Sequence, residues 1–160
     1  VAIAKRMQEH FNLAPDAKIL DIGCAKGFLM HDFKDLMPQC TVAGVEISSY
    51  AIEQAMPSVQ DQIQLASADS LPYPDQSFDL VISINTIHNL PSAQCKKALQ
   101  EITRVSKQHA FVTVYSWRDE IGRERLENWM LTAETYMSVE DWQSFFSDAG
   151  YQGDYYWFFA

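Results

Sequence analysis

The chain is poor in basic residues and has no long apolar run. Only 12 Lys and Arg stand against 21 Asp and Glu among its 160 residues, which gives a formal net charge of −9. This balance argues against a nucleic-acid partner and against an anionic membrane surface, because both favour a basic face on the protein. No apolar run approaches the length that spans a membrane. The composition is compatible with a small-molecule substrate.

Cysteine is scarce too. Cys24, Cys40 and Cys95 are odd in number and show no C-x-x-C spacing, so we expect three reduced thiols, no metal site and a cytoplasmic protein. The segment 1–6 is not a secretory signal, because no long apolar core follows its charges. The sequence also lacks an initiator Met and begins inside a predicted helix, residues 1–12. We therefore expect part of a longer chain, with some N-terminal and possibly some C-terminal residues missing.

Strand and helix patterns alternate along the chain. The predicted strands are 18–22, 41–47, 63–66, 77–84, 109–117 and 151–160; the predicted helices are 1–12, 29–37, 49–56, 92–105, 118–129 and 139–149. Such alternation requires parallel crossovers. We predict one domain, residues 1–160, with a doubly wound α/β fold and a mainly parallel sheet of six to seven strands. A seventh strand is not evident in the sequence.

A turn of small residues follows the first predicted strand. The run Asp21-Ile22-Gly23-Cys24-Ala25-Lys26-Gly27 lets backbone N–H groups approach a ligand, and the helix that follows adds partial positive charge at its N-terminus. Dinucleotide binders carry G-x-G-x-x-G, but Phe28 stands where the third glycine is required. Asp21 at the strand end would repel a pyrophosphate and would suit a cationic amine.

This D-x-G-x-A-x-G run resembles the first motif of the class I S-adenosylmethionine-dependent methyltransferases. In that family the turn holds the amino-acid end of S-adenosylmethionine. The resemblance implies cofactor contacts by the following residues: Asp21, Gly23, Cys24, Ala25 and Gly27. Ala25 replaces the commoner glycine and is also small.

Two further cofactor contacts follow from the resemblance. Glu46 ends the second predicted strand, 19 residues after Gly27 (46 − 27), where the family uses an acid to accept hydrogen bonds from the ribose hydroxyls. Ile47 is its neighbour in the same site. The loop 67–74 resembles the family's adenine-side loop, with Asp69 and Ser70 in the adenine-contacting positions. The alternatives are that Glu46 is a solvated surface residue and that the loop 67–74 is an ordinary turn rich in Asp, Ser and Pro.

The fourth predicted strand ends in a polar stretch, residues 83–89. By the resemblance this stretch faces the transferred methyl group, with Ser83 on the cofactor and Asn85 and His88 meeting the acceptor. His88 would be a general base as a neutral imidazole; the alternative is that it caps a helix or packs beside the cofactor. Tyr115 and Trp117 end the fifth predicted strand and are candidates to line the acceptor pocket, and the resemblance places a substrate wall in residues 118–137.

Helix 92–105 follows, with Ser92 as its expected N-cap. Its apolar face faces the core, and Glu101 and Arg104 are expected on a purely solvated face.

The resemblance implies transfer of a methyl group from S-adenosylmethionine to an oxygen or nitrogen of a small-molecule acceptor by in-line displacement, with S-adenosylhomocysteine as product. Two alternatives remain open. A nicotinamide-dependent oxidoreductase would need the glycine that Phe28 replaces. A methyltransferase-like domain that binds a cofactor or a partner without catalysis would keep the same motifs.

Overall fold

The computed structural model describes residues 1–160, in which seven strands form a sheet whose strand pairs are all parallel. The strands are β1 (Lys18–Ile22), β2 (Thr41–Glu46), β3 (Ile63–Leu65), β4 (Phe78–Ile84), β5 (Ser106–Trp117), β6 (Met137–Ser138) and β7 (Asp154–Phe158). The helices are α1 (Ala2–Phe11), α2 (Phe28–Leu36), α3 (Ser49–Glu53), α4 (Ser92–Val105), α5 (Glu120–Trp129) and α6 (Val139–Ala149). Short 3₁₀ turns cover Gln60–Gln62 and Ile87–Asn89.

The strand order is β3-β2-β1-β4-β5, and both β6 and β7 pair with β5. The chain builds the sheet outward from β1 to β3 and then returns to place β4 on the other side of β1. Asp21 therefore lies between Gly44 of β2 and Ile82 of β4. In open α/β sheets, ligands bind outside the carboxyl ends of the strands at such a point of reversal.

The core has one apolar layer on each face of the sheet. One layer packs against α4 and α6, and the other packs against α1 and α2. Successive residues of β4 alternate between them: Val81 belongs to the first layer, and Leu80 and Ile82 to the second. Trp142 of α6 is fully buried, and its indole N–H donates to the carbonyl of Tyr115 at 2.8 Å. The two layers fix the strand ends that form the site.

The predicted α/β architecture is confirmed, and two of the helices have serine side chains as N-caps. Ser48 accepts a hydrogen bond from the N–H of Ala51, and Ser138 accepts one from Asp141. Ser92 is not an N-cap: it is the first residue of α4, Pro91 precedes it, and no side chain caps that end. No helix has both the length and the apolar character required to cross a bilayer.

The strands at one edge differ from expectation. The seventh strand is β6, whose two residues are too few for a sequence pattern. The C-terminal strand is shorter than predicted, Asp154–Phe158, and runs parallel to β5. β5 begins at Ser106, because α4 leads into it without a loop.

The prediction that Glu101 and Arg104 only form a solvated face is wrong. The guanidinium of Arg104 donates to the carbonyls of Tyr73 (2.8 Å) and Leu71 (3.2 Å) and to the carboxylate of Glu101. Glu101 in turn accepts from the N–H of Leu71 at 2.8 Å. The pair on α4 therefore fixes the loop that follows β3, which forms one side of the cleft described next.

Candidate active site

A cleft of about 400 Å³ opens at the carboxyl ends of the four strands β1 to β4. Its walls are formed by residues 23, 25, 45–47, 66–68, 84–86 and 89–90. This is the point where the strand order reverses, so the topology places the cleft where a ligand is expected. Its volume suits a small molecule.

The turn after β1 depends on two glycines for different reasons. Gly23 has φ of +71°, and a Cβ on it would lie 2.3 Å from side-chain atoms of Thr86, so the turn and the exit of β4 touch at this point. Gly27 has φ of +72°, and a Cβ there would lie 2.7 Å from the side chain of Val59. Gly23 lines the cleft, whereas Gly27 allows close packing behind it.

Ala25 and Asn85, which both line the cleft, have left-handed backbones. Their φ angles are 48° and 52°, a conformation that costs a non-glycine residue free energy and that persists where surrounding contacts impose it. For Ala25 the contact is Glu46, whose Oε2 accepts its N–H at 2.9 Å. For Asn85 it is β5, because its N–H donates to the carbonyl of Thr113 at 3.1 Å.

Glu46 joins the turn to the end of β2. Besides the bond from Ala25, its Oε1 accepts from the N–H groups of Ile47 (2.9 Å) and Ser48 (3.0 Å). A carboxylate has about four acceptor positions. Glu46 therefore organises the backbone around the cleft and can still accept hydrogen bonds from a ligand's hydroxyl groups.

Glu46 is the only charged residue in the cleft lining, and Asp21 lies outside that lining. Asp21, at the end of β1, is only 7% exposed and forms no ion pair. Burial, and secondly repulsion from Glu46, raises its pKa to about 7. Asn85 adds a buried side-chain oxygen with no hydrogen-bond partner. These uncompensated acceptors fit a ligand that carries positive charge and N–H donors, as S-adenosylmethionine does.

The 3₁₀ turn after β4 connects the cleft to residues 130–137. Asn89 lines the cleft; its Nδ2 donates to the carbonyl of Asn85 at 3.3 Å, and its Oδ1 accepts from the hydroxyl of Thr132 at 2.9 Å. The hydroxyl of Thr135 donates to the carbonyl of Leu90 at 2.7 Å. The segment predicted as a substrate wall is thus held against the rim of the cleft.

His88 is fully buried, and its ring is not part of the cleft lining. The ring packs on Tyr115 with centroids 3.9 Å apart, and neither nitrogen has a hydrogen-bond partner. Burial lowers its pKa to about 4, so the imidazole is neutral at physiological pH. Its carbonyl accepts the N–H groups of Glu134 and Thr135. This geometry favours the packing alternative for His88 over the role of a general base.

Besides Asp21, Gly27 and His88, four further predicted residues lie outside the lining. Cys24 is buried against Gly44, where a Cβ would lie 2.6 Å from its sulfur, and burial raises the pKa of the thiol. Ser83 is fully buried, and its hydroxyl has no partner. Asp69 accepts a hydrogen bond from Ser67, which does line the cleft, at 2.5 Å, and Ser70 follows it in the same loop.

The structure brings five of the predicted site residues together in the lining: Gly23, Ala25, Glu46, Ile47 and Asn85. It adds residues that were not named as candidates, chiefly Ser67, Thr86 and Asn89. Thr86 and Asn89 lie inside the polar stretch 83–89, so their polarity was the available signal. The approach of Thr86 to Gly23 depends on β1 and β4 being neighbours in the sheet.

The fold is a doubly wound α/β domain with a cleft at its switch point. A family model described as a methyltransferase domain matches residues 19–109, more than half of the chain. The chain belongs to this family, the class I S-adenosylmethionine-dependent methyltransferases.

Two curated relatives and two solved structures illustrate the similarity. A tRNA (carboxymethyluridine(34)-5-O)-methyltransferase of Arabidopsis thaliana is 33% identical over 135 residues, covering 82% of this chain and 31% of the relative. The uncharacterized methyltransferase YcgJ of Bacillus subtilis is 31% identical over 145 residues, covering 81% and 55%. The chain therefore spans about a third of the first relative's length and about half of the second's.

The crystal structure of YcgJ superposes with a TM-score of 0.73 at 22% identity, covering 91% of this chain and 66% of that chain. A geranyl diphosphate methyltransferase in complex with S-adenosylmethionine gives 0.71 at 13% identity, covering 92% and 63%. Both likenesses concern the fold.

Proposed function

We propose that the cleft binds S-adenosylmethionine and that the protein transfers its methyl group to an oxygen or nitrogen of a small-molecule acceptor. The observation that carries the proposal is the charge around the cleft: Glu46 is the only charged residue in its lining, and a second carboxyl group, Asp21, is buried near Glu46 at the end of β1. S-adenosylmethionine carries an ammonium and a sulfonium charge, which such a site would favour over an anionic dinucleotide. Membership of the methyltransferase family supports the same ligand.

Each end of the cofactor has residues that would hold it. Asp21 would accept from the ammonium group, with backbone approach at Gly23 and Ala25. Glu46 would accept from the ribose hydroxyls while keeping its bond to Ala25. Ile47, with its side chain exposed at the cleft, would contact the nucleoside. Asp69 and Ser70 would be reached from Ser67, which belongs to the same loop and lines the cleft.

Cys24, Gly27 and Ser83 enter the proposal differently. None of the three lines the cleft. Cys24 and Gly27 would act through their backbone in the turn after β1. Ser83, buried near the end of β4, would support the residues that follow it in the cleft lining.

Bound S-adenosylmethionine supplies a methyl group already activated by its sulfonium centre. What the protein adds is orientation and exclusion of water, which together can lower a barrier by up to roughly 7–11 kcal/mol. Asn85 lies at the exit of β4 with a free side-chain oxygen, in position to orient the acceptor. The lining provides no histidine or lysine as a base, so the acceptor would attack as an ionised oxygen or a neutral amine, and a methylated amine would lose its proton to solvent after leaving the cleft.

A tRNA acceptor is the second candidate, because the Arabidopsis relative is named for that activity. The net charge of −9 weighs against it, since contacts to phosphates require clustered Lys and Arg. We therefore favour a small molecule, and we expect no nucleic-acid and no membrane partner for this domain. A domain that binds cofactor without catalysis is the remaining alternative.

The test is a methyl-transfer assay with S-adenosylmethionine carrying a radiolabelled methyl group. Separate arms contain amines, phenols, aryl carboxylates and bulk tRNA, and Asn85→Ala serves as a variant at the reacting end. We expect label in a small-molecule arm, with a large loss in Asn85→Ala. Label in tRNA alone would overturn the choice of acceptor. Cofactor binding without label in any arm would overturn the catalytic proposal and favour the binding alternative.

A further inference from the structure

A second cavity lies beside the cofactor cleft, on the face of the sheet that α1 covers. This groove, the α1 groove, has a volume of about 490 Å³. Its walls are mainly apolar: Met7 and Phe11 of α1, Ile84 of β4, Phe111 of β5 and Tyr156 of β7. Its volume and apolar walls suit a small organic molecule.

The α1 groove and the cofactor cleft meet at the exit of β4. Ile84 lines both cavities, and its neighbour Asn85 lines the cleft. The N–H of Asn85 donates to the carbonyl of Thr113, which lines the groove. One residue step along β4 therefore separates the two cavities, and a molecule in the groove could extend past Ile84 toward the cofactor's reacting end.

One charge in the groove has no counter-ion. Along α1, Lys5 pairs with Glu9, and His10 pairs with Asp154 of β7. Arg6 lines the groove and makes neither an ion pair nor a side-chain hydrogen bond. A guanidinium beside apolar walls would bind a carboxylate or another planar anion through two N–H donors.

We propose that the α1 groove holds the methyl acceptor, and that the acceptor is an apolar small molecule with one anionic group that pairs with Arg6. This proposal rests on the proposed function, because it takes the adjacent cleft as the cofactor site. It makes Arg6 a specificity-determining residue: the anion anchors one end of the molecule, and the nucleophilic end reaches past Ile84. The apolar walls would exclude water from the attacking atom.

The test compares two probes that differ only in charge, naphthalene-2-carboxylate and naphthalene-2-carboxamide. Binding is followed by NMR of the protein labelled with ¹³C at the Met and Ile methyl groups. We expect the carboxylate to shift the methyl signals of Met7 and Ile84 and to bind about threefold to fivefold more tightly than the amide, the range for a partly exposed ion pair. Arg6→Met removes that preference, whereas Lys5→Met, the same change one residue earlier on α1, retains it.

A separate titration with S-adenosylhomocysteine keeps the two proposals distinguishable. We expect it to shift Ile47 and Ile84 and to leave Met7 unchanged. If S-adenosylhomocysteine binds but neither probe shifts Met7, or if Arg6→Met binds both probes as the wild type does, the acceptor proposal is overturned and the cofactor site stands. If S-adenosylhomocysteine shifts no signal, the proposed function itself is overturned.

Discussion

Glu46 accepts the backbone N–H of Ala25 at 2.9 Å, across 21 residues of sequence, and so connects the carboxyl ends of β1 and β2. The same carboxylate accepts the N–H groups of Ile47 and Ser48. Its position is therefore fixed before any ligand arrives. A preorganised acceptor loses little conformational freedom on binding, which favours affinity.

We predict that Glu46→Gln weakens binding of S-adenosylhomocysteine by about 1–3 kcal/mol, because neutral acceptors replace charge-assisted hydrogen bonds to the ribose. Gln retains the size of the side chain but has a single acceptor oxygen, so the variant also loses either the bond from Ala25 or those from Ile47 and Ser48. Calorimetry gives the dissociation constant, and Glu53→Gln on the exposed side of α3 removes the same charge as a control. A dissociation constant within twofold of the wild type would remove Glu46 from the cofactor site.

Gly23→Ala and Gly150→Ala separate two costs of a side chain. Both glycines have positive φ, of +71° and +73°, but a Cβ meets Thr86 at 2.3 Å in the first case and nothing within 4 Å in the second. We expect Gly150→Ala to cost about 1–2 kcal/mol in free energy of unfolding from its backbone alone. Gly23→Ala should cost clearly more.

Urea denaturation measures both variants. Adding Thr86→Gly to Gly23→Ala should recover part of the loss, since it removes the colliding side chain. Equal losses in the two single variants would contradict the close contact between the β1 turn and the exit of β4.

The raised pKa of Asp21 predicts a pH dependence of stability. An Asp in an unfolded chain has a pKa near 4, and here burial raises it to about 7. The folded state therefore binds the proton on Asp21 more tightly than the unfolded state does. The resulting stabilisation of the folded state is complete below about pH 4 and is lost as pH rises through 7. Asp21→Asn does not titrate, and its free energy of unfolding should rise relative to the wild type by up to about 1.4 kcal/mol per pH unit across that window.

Urea unfolding of both proteins between pH 4 and 8 gives this difference directly, with the exposed Asp148→Asn on α6 as the matched control. A difference that does not change with pH would show that Asp21 has an ordinary pKa. Since a bound ammonium group would favour the carboxylate, S-adenosylhomocysteine should also release protons on binding near pH 6, which calorimetry in buffers of different ionisation heat detects.

His88 offers a test of whether catalysis uses a base from the protein. Its ring is enclosed against Tyr115 with two unpartnered nitrogens. His88→Phe keeps an aromatic ring there and removes those polar atoms, so we expect the melting temperature to be maintained and methyl transfer to stay within about threefold of the wild type. Loss of a general base would instead cost about 10²–10⁴-fold. A loss of that size in a folded variant would restore the catalytic role predicted for His88.

Local patterns in the sequence were sufficient for most of the fold. Apolar runs and small-residue turns gave six of the strands, and the motif around Gly23 located the cleft. The short β6 was missed because Met137 and Ser138 carry no periodicity. Its pairing with β5 arises from the tertiary packing of the segment that precedes it.

Side-chain direction was the part that the sequence could not supply. Asn85 and His88 are three residues apart, yet Asn85 lines the cleft and His88 is buried beside Tyr115, because the 3₁₀ turn Ile87–Asn89 rotates the chain between them. Arg104 was misjudged for a related reason. Its partners, the carbonyls of Leu71 and Tyr73, are more than thirty residues away and belong to the backbone, which carries no sequence signature.

The most direct test of the central claim is a calorimetric titration of the protein with S-adenosylhomocysteine, with NAD as the comparison ligand. We predict saturable binding of one S-adenosylhomocysteine per chain in the micromolar range and a raised melting temperature, since a ligand at 100 times its dissociation constant stabilises by about 2.7 kcal/mol. Saturable binding of NAD, with no heat and no thermal shift from S-adenosylhomocysteine, would contradict the account.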